Sequence, residues 1–434
     1  MGPERLGYGV RAEKQGLELP PTAGLGLRRE SPFYLNREGA LQNEHFLISA
    51  DILQMDGSYQ RSAKLMLEKI LEKGGKVSIV AAGSETPAAE TQKVSDDIAT
   101  LLSKYGADKL ATIYLEPPEK TRGSKIWIRD YLGSFVPHRE DPSSFCYLHS
   151  NTPHELHWSR KWQYEDILAK ISGAEIEKPP IPIVGGDFAL LGDDTLLLTT
   201  AFKRKVVDNS VDYTPEEQLK KLQATADLMG RSNILFVPSP FGNLSHADCV
   251  VCQVGSTVFI PEIPKECLSL SPHTRAVDKA RDALIELTRT LKEKNFTVET
   301  LPMGLPGVDV IESGGKILSA QSESRNCLLP CNLIQFRNSQ GELHILVPWN
   351  VESDRPNRVV NPSAAHYPKY QEEIKAKLKG AGATSVSFIP FLANASGGLH
   401  CITKNVSSDV AAVLNLHLGK PESASTLQAS STKS

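Results

Sequence analysis

The sequence predicts an α/β protein in which repeated units, each a strand hairpin followed by a helix-forming segment, close into a ring. Three observations lead there. FALL-GDD-TLLLTT begins directly after Asp187 and CVVCQVG-STVFIP directly after Asp248, with the same seven-residue distance from each aspartate to the second strand. Related stretches recur: YLGSFVP after Asp130, NLIQF-RNSQG-ELHILVP beyond Cys331, and LHCITKNV around Cys401. Segments of helical periodicity separate these units, and no single unit could bury both of its faces, which argues for closure of the five on one another. A doubly wound parallel sheet is the competing architecture. Against it, the strands come in pairs joined by turn residues such as Gly192-Asp193-Asp194, as antiparallel hairpins require.

Residues 1–43 hold scattered Gly, Pro and charge without periodicity and read as an irregular N-terminal extension. The folded unit is expected over 44–419. In it Ala63, Met66 and Ile70 fall at helical spacing, Gly74 supplies a stop, and KVSIVAA follows as a buried strand. A second helix begins at Pro215, with Leu219, Leu222, Ala226 and Met229 expected inward and Gly230 ending it. After Pro272, Val277, Ala280, Leu284, Leu287 and Leu291 step by three and four and share one helix face. Residues 420–434 are almost free of apolar side chains and read as a disordered tail.

Composition narrows the function classes. The 434 residues are 23% charged and 40% hydrophobic, with 48 basic against 51 acidic residues and a net charge of -3. That is ordinary globular composition, and so small a charge gives no whole-chain attraction to nucleic acid or anionic lipid. Lys203-Arg204-Lys205 is too short a run to argue for nucleic acid and reads as a solvated loop. Seven cysteines, sparse and odd in number, fit reduced thiols better than a disulfide framework. No secretory signal or membrane span is visible, so a soluble, cytoplasmic protein is expected, and three Asn-x-Ser triplets at Asn243, Asn394 and Asn405 read as chance. Cys249 and Cys252, three apart on one expected strand, would face opposite sides and could not share a metal. Glu312-Ser-Gly-Gly-Lys316 fits no phosphate-binding pattern.

The chemistry lies at matching places in the repeats. Asp130 ends Trp-Ile-Arg-Asp, Asp187 ends Gly-Gly-Asp, His246 and Asp248 belong to Ser-His-Ala-Asp, and Cys401 ends Gly-Gly-Leu-His-Cys. Arranged around one axis, they would assemble a thiol, an imidazole and at least two carboxylates. Such a set suits a guanidinium, a planar cation whose N–H donors are matched by carboxylates in its plane. Buried acids also call for a cationic ligand. A thiolate is reachable near neutral pH, a nearby positive charge favours it further, and histidine can pass a proton to a departing amine and take one from water. No metal or other cofactor is required.

These motifs, in this order over residues 46–418, resemble the guanidine-modifying, or pentein, superfamily, and within it the group of agmatine deiminases and bacterial-type peptidylarginine deiminases. The resemblance implies a five-bladed α/β propeller built from ββαβ-like repeats, and hydrolysis of a guanidinium C–N bond to a ureido product and ammonia. By the same resemblance Cys401 would attack the guanidinium carbon, and His246 would protonate the leaving ammonia and then activate water against a covalent thiouronium. Asp130 and Asp248 would hold the guanidinium nitrogens. Trp127, Arg129 and Asp187 complete the substrate-binding candidates, Arg129 either orienting Asp130 or simply solvated. Val184 stands where arginine and agmatine deiminases place a glutamate, and HFLISADILQM replaces the tryptophan-rich segment of agmatine deiminases. Both lean toward arginine in a peptide or protein as substrate.

Each assignment has a plainer alternative. Cys401 could be a core thiol, His246 a satisfied core histidine, Asp248 a turn cap, Asp130 a strand-end salt bridge and Asp187 a residue bonded only to its own turn. The spacing of His246 and Asp248 would put both side chains on one strand face. Agmatine hydrolysis, amidino transfer to an amine and catalytically silent binding of arginine-bearing partners are the other functions these residues allow. Neither nucleic acid nor membrane is expected as a partner, and the sequence does not specify an oligomeric state.

Overall fold

The computed structural model describes residues 45–82, 96–115, 134–137, 145–148, 175–240, 246–268, 275–303, 309–321, 329–349, 358–360, 366–390, 399 and 403–406, apart from isolated positions within the longer runs. The expected extension over 1–43 and the tail over 420–434 lie outside the described residues.

Five sheets repeat one plan. In the third, β7 (Phe188–Leu191) and β8 (Thr195–Thr199) form an antiparallel hairpin, and β9 (Asn233–Val237) adds parallel to β8 after the helix Pro215–Leu228. The fourth is β10 (Cys252–Val254), β11 (Thr257–Glu262) and β12 (Thr297–Pro302), with the helix Arg275–Glu293 in the crossover. The fifth is β15 (Ile334–Arg337), β16 (Leu343–Trp349) and β18 (Ser385–Pro390), with the helix Tyr367–Gly380. In the second, β4 (Ser134–Pro137) and β5 (Phe145–Leu148) pair antiparallel, and β6 (Glu175–Glu177) joins β5 in parallel. Helical crossovers follow from the geometry, because a parallel neighbour cannot be reached through a tight turn.

The first sheet obeys the plan with strands from distant sequence. β1 (His45–Ser49) runs parallel to β2 (Lys76–Ala82), reached through the helix Gly57–Glu72, and β3 (Leu110–Leu115) extends it. The antiparallel neighbour of β1 is β19 (Thr403–Val406), in the register His45 to Val406 and Ile48 to Thr403. A sixth, wholly antiparallel sheet takes β13 (Asp309–Ser313) and β14 (Lys316–Gln321) from between the fourth and fifth units and β17 (Arg358–Val360) from within the fifth, between β16 and β18.

Contacts chain the sheets together. Leu148 of the second packs with Phe188 and Leu190 of the third. The Gln253 side chain on β10 accepts from the Gly192 amide at 2.8 Å, joining third to fourth. Gln335 on β15 donates to the Gln253 carbonyl at 2.7 Å, joining fourth to fifth. Phe336 on β15 meets Phe46 on β1 edge to face, with centroids 5.5 Å apart, joining fifth to first. One apolar cluster, which includes Phe46, Ile79, Ala189, Leu197, Val258 and Phe336, runs through four of the sheets.

The helices expected from periodicity form. Val277, Ala280, Leu284, Leu287 and Leu291 are buried as the stripe requires, and KVSIVAA is β2 residue for residue. The helix Pro215–Leu228 starts on a Thr214 capping box, in which Thr214 and Glu217 satisfy each other's backbone amides. Leu222, Ala226 and Met229 are buried, but Leu219, expected inward, is 38% exposed. Lys203-Arg204-Lys205 is not a loop. It opens a π-helical turn, Lys203–Asp208, held by the Asn209 amide on the Arg204 carbonyl and by a 2.8 Å ion pair between Lys203 and Asp208. No helix among the described residues is long and apolar enough to cross a membrane.

Candidate functional site

Five repeats place five entry segments ahead of the first strand of each sheet. The Gly185-Gly186-Asp187 turn leads directly into β7, which fixes Asp187 at the strand entrance, where it is buried. The corresponding segment of the fourth sheet differs from the sequence reading. Residues 246–251 are not an extended strand: Ala247–Cys249 form a 3₁₀ turn, with the Val250 and Val251 amides both on the Ala247 carbonyl, and β10 begins only at Cys252. His246 caps the turn in an extended conformation, and Asp248 lies inside the turn, 2% exposed. The expected strand-face pairing of His246 and Asp248 is therefore replaced by a turn. A hydrogen-bonded turn needs its own donors and acceptors, which leaves the 247–251 backbone fewer groups for a strand ladder. Cys249 and Cys252 accordingly do not share one strand.

The two acid-bearing turns touch. The Asp248 amide donates to the Gly186 carbonyl at 3.4 Å, so the residue preceding Asp187 is bonded to Asp248 itself. From the fifth sheet, Asn332 completes the brace. It is fully buried, and its Nδ2 donates to the Asp248 carbonyl and to the Cys249 sulfur, each at 3.4 Å. Its own amide closes a turn onto the Leu329 carbonyl at 3.0 Å. Asn332 precedes β15 by two residues, in the entry segment of its repeat, as Asp187 and Asp248 lie in the entry segments of theirs. Sequence reasoning missed it, although this position was the available signal.

Trp127, Arg129, Asp130 and Cys401 lie outside the described residues. In sequence, Asp130 comes four positions ahead of β4 and Cys401 two ahead of β19. Leu399 and Thr403 flank Cys401 in the chain. Both are buried, and the Thr403 hydroxyl donates to the Leu399 carbonyl at 3.2 Å. Of the sequence-derived candidates, the structure thus brings together the segments bearing Asp187, His246 and Asp248. Among the described residues no group of three or more His, Cys, Asp or Glu is placed to hold a metal ion.

Chemically, the arrangement offers two buried carboxylates on touching turns with a partly exposed imidazole beside the second. Such a pair can grip a planar cation through several N–H donors at once, and the imidazole offers one ring nitrogen as donor and the other as acceptor when neutral.

No family model matches the sequence, and no curated protein matches it. Solved structures do. The chain is similar to the agmatine deiminase of C. jejuni, with a TM-score of 0.55 at 16% identity, covering 86% of this chain and 95% of that one. It is similar to the agmatine deiminase of Enterococcus faecalis, with a TM-score of 0.55 at 14% identity over 87% and 96%. A candidate peptidyl-arginine deiminase gives 0.52 at 14% identity over 86% and 98%. At this identity the likeness establishes the fold alone: the chain shares the α/β fold of these solved structures.

Proposed function

We propose that the chain is a deiminase that hydrolyses the guanidinium C–N bond of an arginine-type substrate. The observation that carries the proposal is the contact between the Asp187 and His246–Asp248 turns, at the strand entrances of neighbouring sheets in a deiminase fold. In this reading five sheets close into a propeller, and the entry segments that carry Asp130, Asp187, Asp248 and Cys401 converge on one mouth.

The reaction follows from those groups. Asp130 and Asp248 hold the guanidinium nitrogens and turn its carbon toward the Cys401 thiolate, a positioning effect of large catalytic value. Sulfur adds to the carbon, the C–N bond breaks, and His246 gives its proton to the leaving nitrogen, which departs as ammonia. A thiouronium remains on Cys401. His246, now neutral, takes a proton from water as the water oxygen adds to the same carbon. The C–S bond breaks, and a ureido product leaves with the thiolate regenerated. Water supplies the oxygen, so the balance is guanidinium plus water to urea group plus ammonium.

Val184 and the absent tryptophan-rich segment support arginine within a peptide or protein as the substrate. Agmatine is the second reading, supported by the agmatine deiminases among the similar structures. Mass spectrometry of the protein incubated with agmatine, free arginine and an N- and C-blocked arginyl peptide tests both. A gain of about one dalton with release of ammonia is expected, and the preferred compound identifies the substrate. Binding without product, or product only with an added amine acceptor, would refute hydrolysis. Cys401→Ala should abolish turnover while leaving the substrate bound.

A further inference from the structure

Two thiols outside the proposed chemistry meet across the fourth and fifth sheets. Cys252 opens β10, and its cross-strand partner on β11 is Phe259. Residues directly opposite in an antiparallel pair present their side chains on the same face. Cys331, on the turn leading into β15, points its sulfur at the carbonyl of that same Phe259, at 3.5 Å. Both cysteines belong to one apolar cluster with Val254, Phe259 and Leu333. Cys249, Cys252, Cys267 and Cys331 are free thiols, and of these four Cys252 alone is partly exposed.

We infer that Cys252 and Cys331 form an oxidation site, closing to a disulfide in the presence of a peroxide and thereby joining the fourth sheet covalently to the entry turn of the fifth. Cys252 is the sulfur that a peroxide reaches. Cys252 gives up its proton as its sulfur attacks a peroxide oxygen, the O–O bond breaks, and the departing hydroxide takes up a proton, so that a sulfenic acid and water result. The Cys331 sulfur then attacks the Cys252 sulfur, the S–O bond breaks, and a second water leaves. Two thiols and one hydrogen peroxide give one disulfide and two waters. Burial, and after it the neighbouring Cys252, raises the Cys331 pKa, so Cys331 keeps its proton until the attack, when that proton passes to the departing hydroxyl. Burial of Cys331 also shields it from direct oxidation. Closing the bond brings the two sulfurs to about 2.05 Å.

The position gives the bond a consequence. Cys331 is adjacent to Asn332, whose side chain braces the Asp248 turn, so oxidation fixes the segment that supports the candidate site.

The test uses the full chain, treated with a small molar excess of hydrogen peroxide, alkylated, digested and mapped without reductant. We expect a peptide pair linked through residues 252 and 331, the loss of two alkylatable thiols, and full reversal by dithiothreitol. In Cys252→Ser the Cys331 thiol should remain reduced under the same treatment. Over-oxidation of Cys252 with Cys331 left as a thiol, or a link from either residue to Cys249, would overturn the inference. The readout is covalent and independent of the deiminase reaction, so its failure would leave the proposed function untouched.

Discussion

Replacing Asn332 by alanine tests whether the brace between the fifth sheet and the Asp248 turn contributes to stability. The side chain is fully buried and donates at 3.4 Å to the Asp248 carbonyl and to the Cys249 sulfur. A buried acceptor that loses its donor costs about 1–3 kcal/mol. Bonds at this length lie at the long end of the range, which selects about 1–2 kcal/mol for the pair. Truncation leaves a void of about 25 Å³, which at about 24 cal/mol per Å³ adds about 0.6 kcal/mol. The expected loss is about 2 kcal/mol, read as a lower urea midpoint with unchanged slope. Asn332→Asp should lose more, because it sets a carboxylate oxygen against the same carbonyl. On a guanidinium substrate kcat/KM should fall, since the released turn carries a proposed binding acid and is capped by the proposed proton-transfer histidine. Asn332→Ala within about 0.5 kcal/mol of the wild-type protein would show that the brace is incidental.

Three further outcomes follow from other contacts. Asp248→Asn removes the charge from a carboxylate proposed to hold the substrate, so kcat/KM should fall about 10- to 100-fold, the worth of a charge-assisted hydrogen bond; steady-state assays that show no change would remove Asp248 from substrate binding. Burial, with a smaller push from Lys76, lowers the His45 pKa to about 3, and its ring is hydrogen-bonded to Ser78 at 2.7 Å. Between about pH 6.5 and pH 3 the unfolded chain takes up a proton that the folded chain does not, so stability should drop by about 1.4 kcal/mol per pH unit as pH falls through that window. Urea midpoints at pH 7 and pH 5 should differ by less in His45→Gln than in the wild-type protein. Gly75→Ala would set its Cβ 2.6 Å from Ile70 Cγ2 and 3.0 Å from the buried Phe336 ring, and overpacking of this kind costs about 1–3 kcal/mol. A variant that melts at the wild-type temperature would count against the tight fit.

The repeat plan was legible because its signals are local. Gly192 and Gly255, both at positive φ, stand in hairpin turns that their neighbours frame as strands, and the stripe from Val277 to Leu291 declares its helix without reference to any partner. What escaped depends on distant residues. The hairpin of Asp309–Ser313 and Lys316–Gln321 carries no signal of the repeat, and its third strand, Arg358–Val360, is far along the chain. Leu219 fits the helical stripe yet is exposed, since periodicity marks a face but not how far the neighbouring sheet extends over it. At the site, the acids and His246 were visible by type and spacing. The 3₁₀ turn that orients them was not, because Cys249, Val250 and Val251 have the composition of a strand and only the Ala247 carbonyl reveals otherwise. Asn332 had no signal beyond its place in the repeat.

The pairing of β1 with β19 has a bearing on biosynthesis. Until Thr403–Val406 leave the ribosome, His45–Ser49 lack an antiparallel neighbour and the first sheet exposes a bare edge. A nascent chain therefore carries an unfinished first sheet through almost all of its translation. On the proposed mechanism, the segment that finishes it also delivers the sulfur nucleophile, so a polypeptide cut short anywhere before it would be catalytically inert as well as prone to stick to its neighbours.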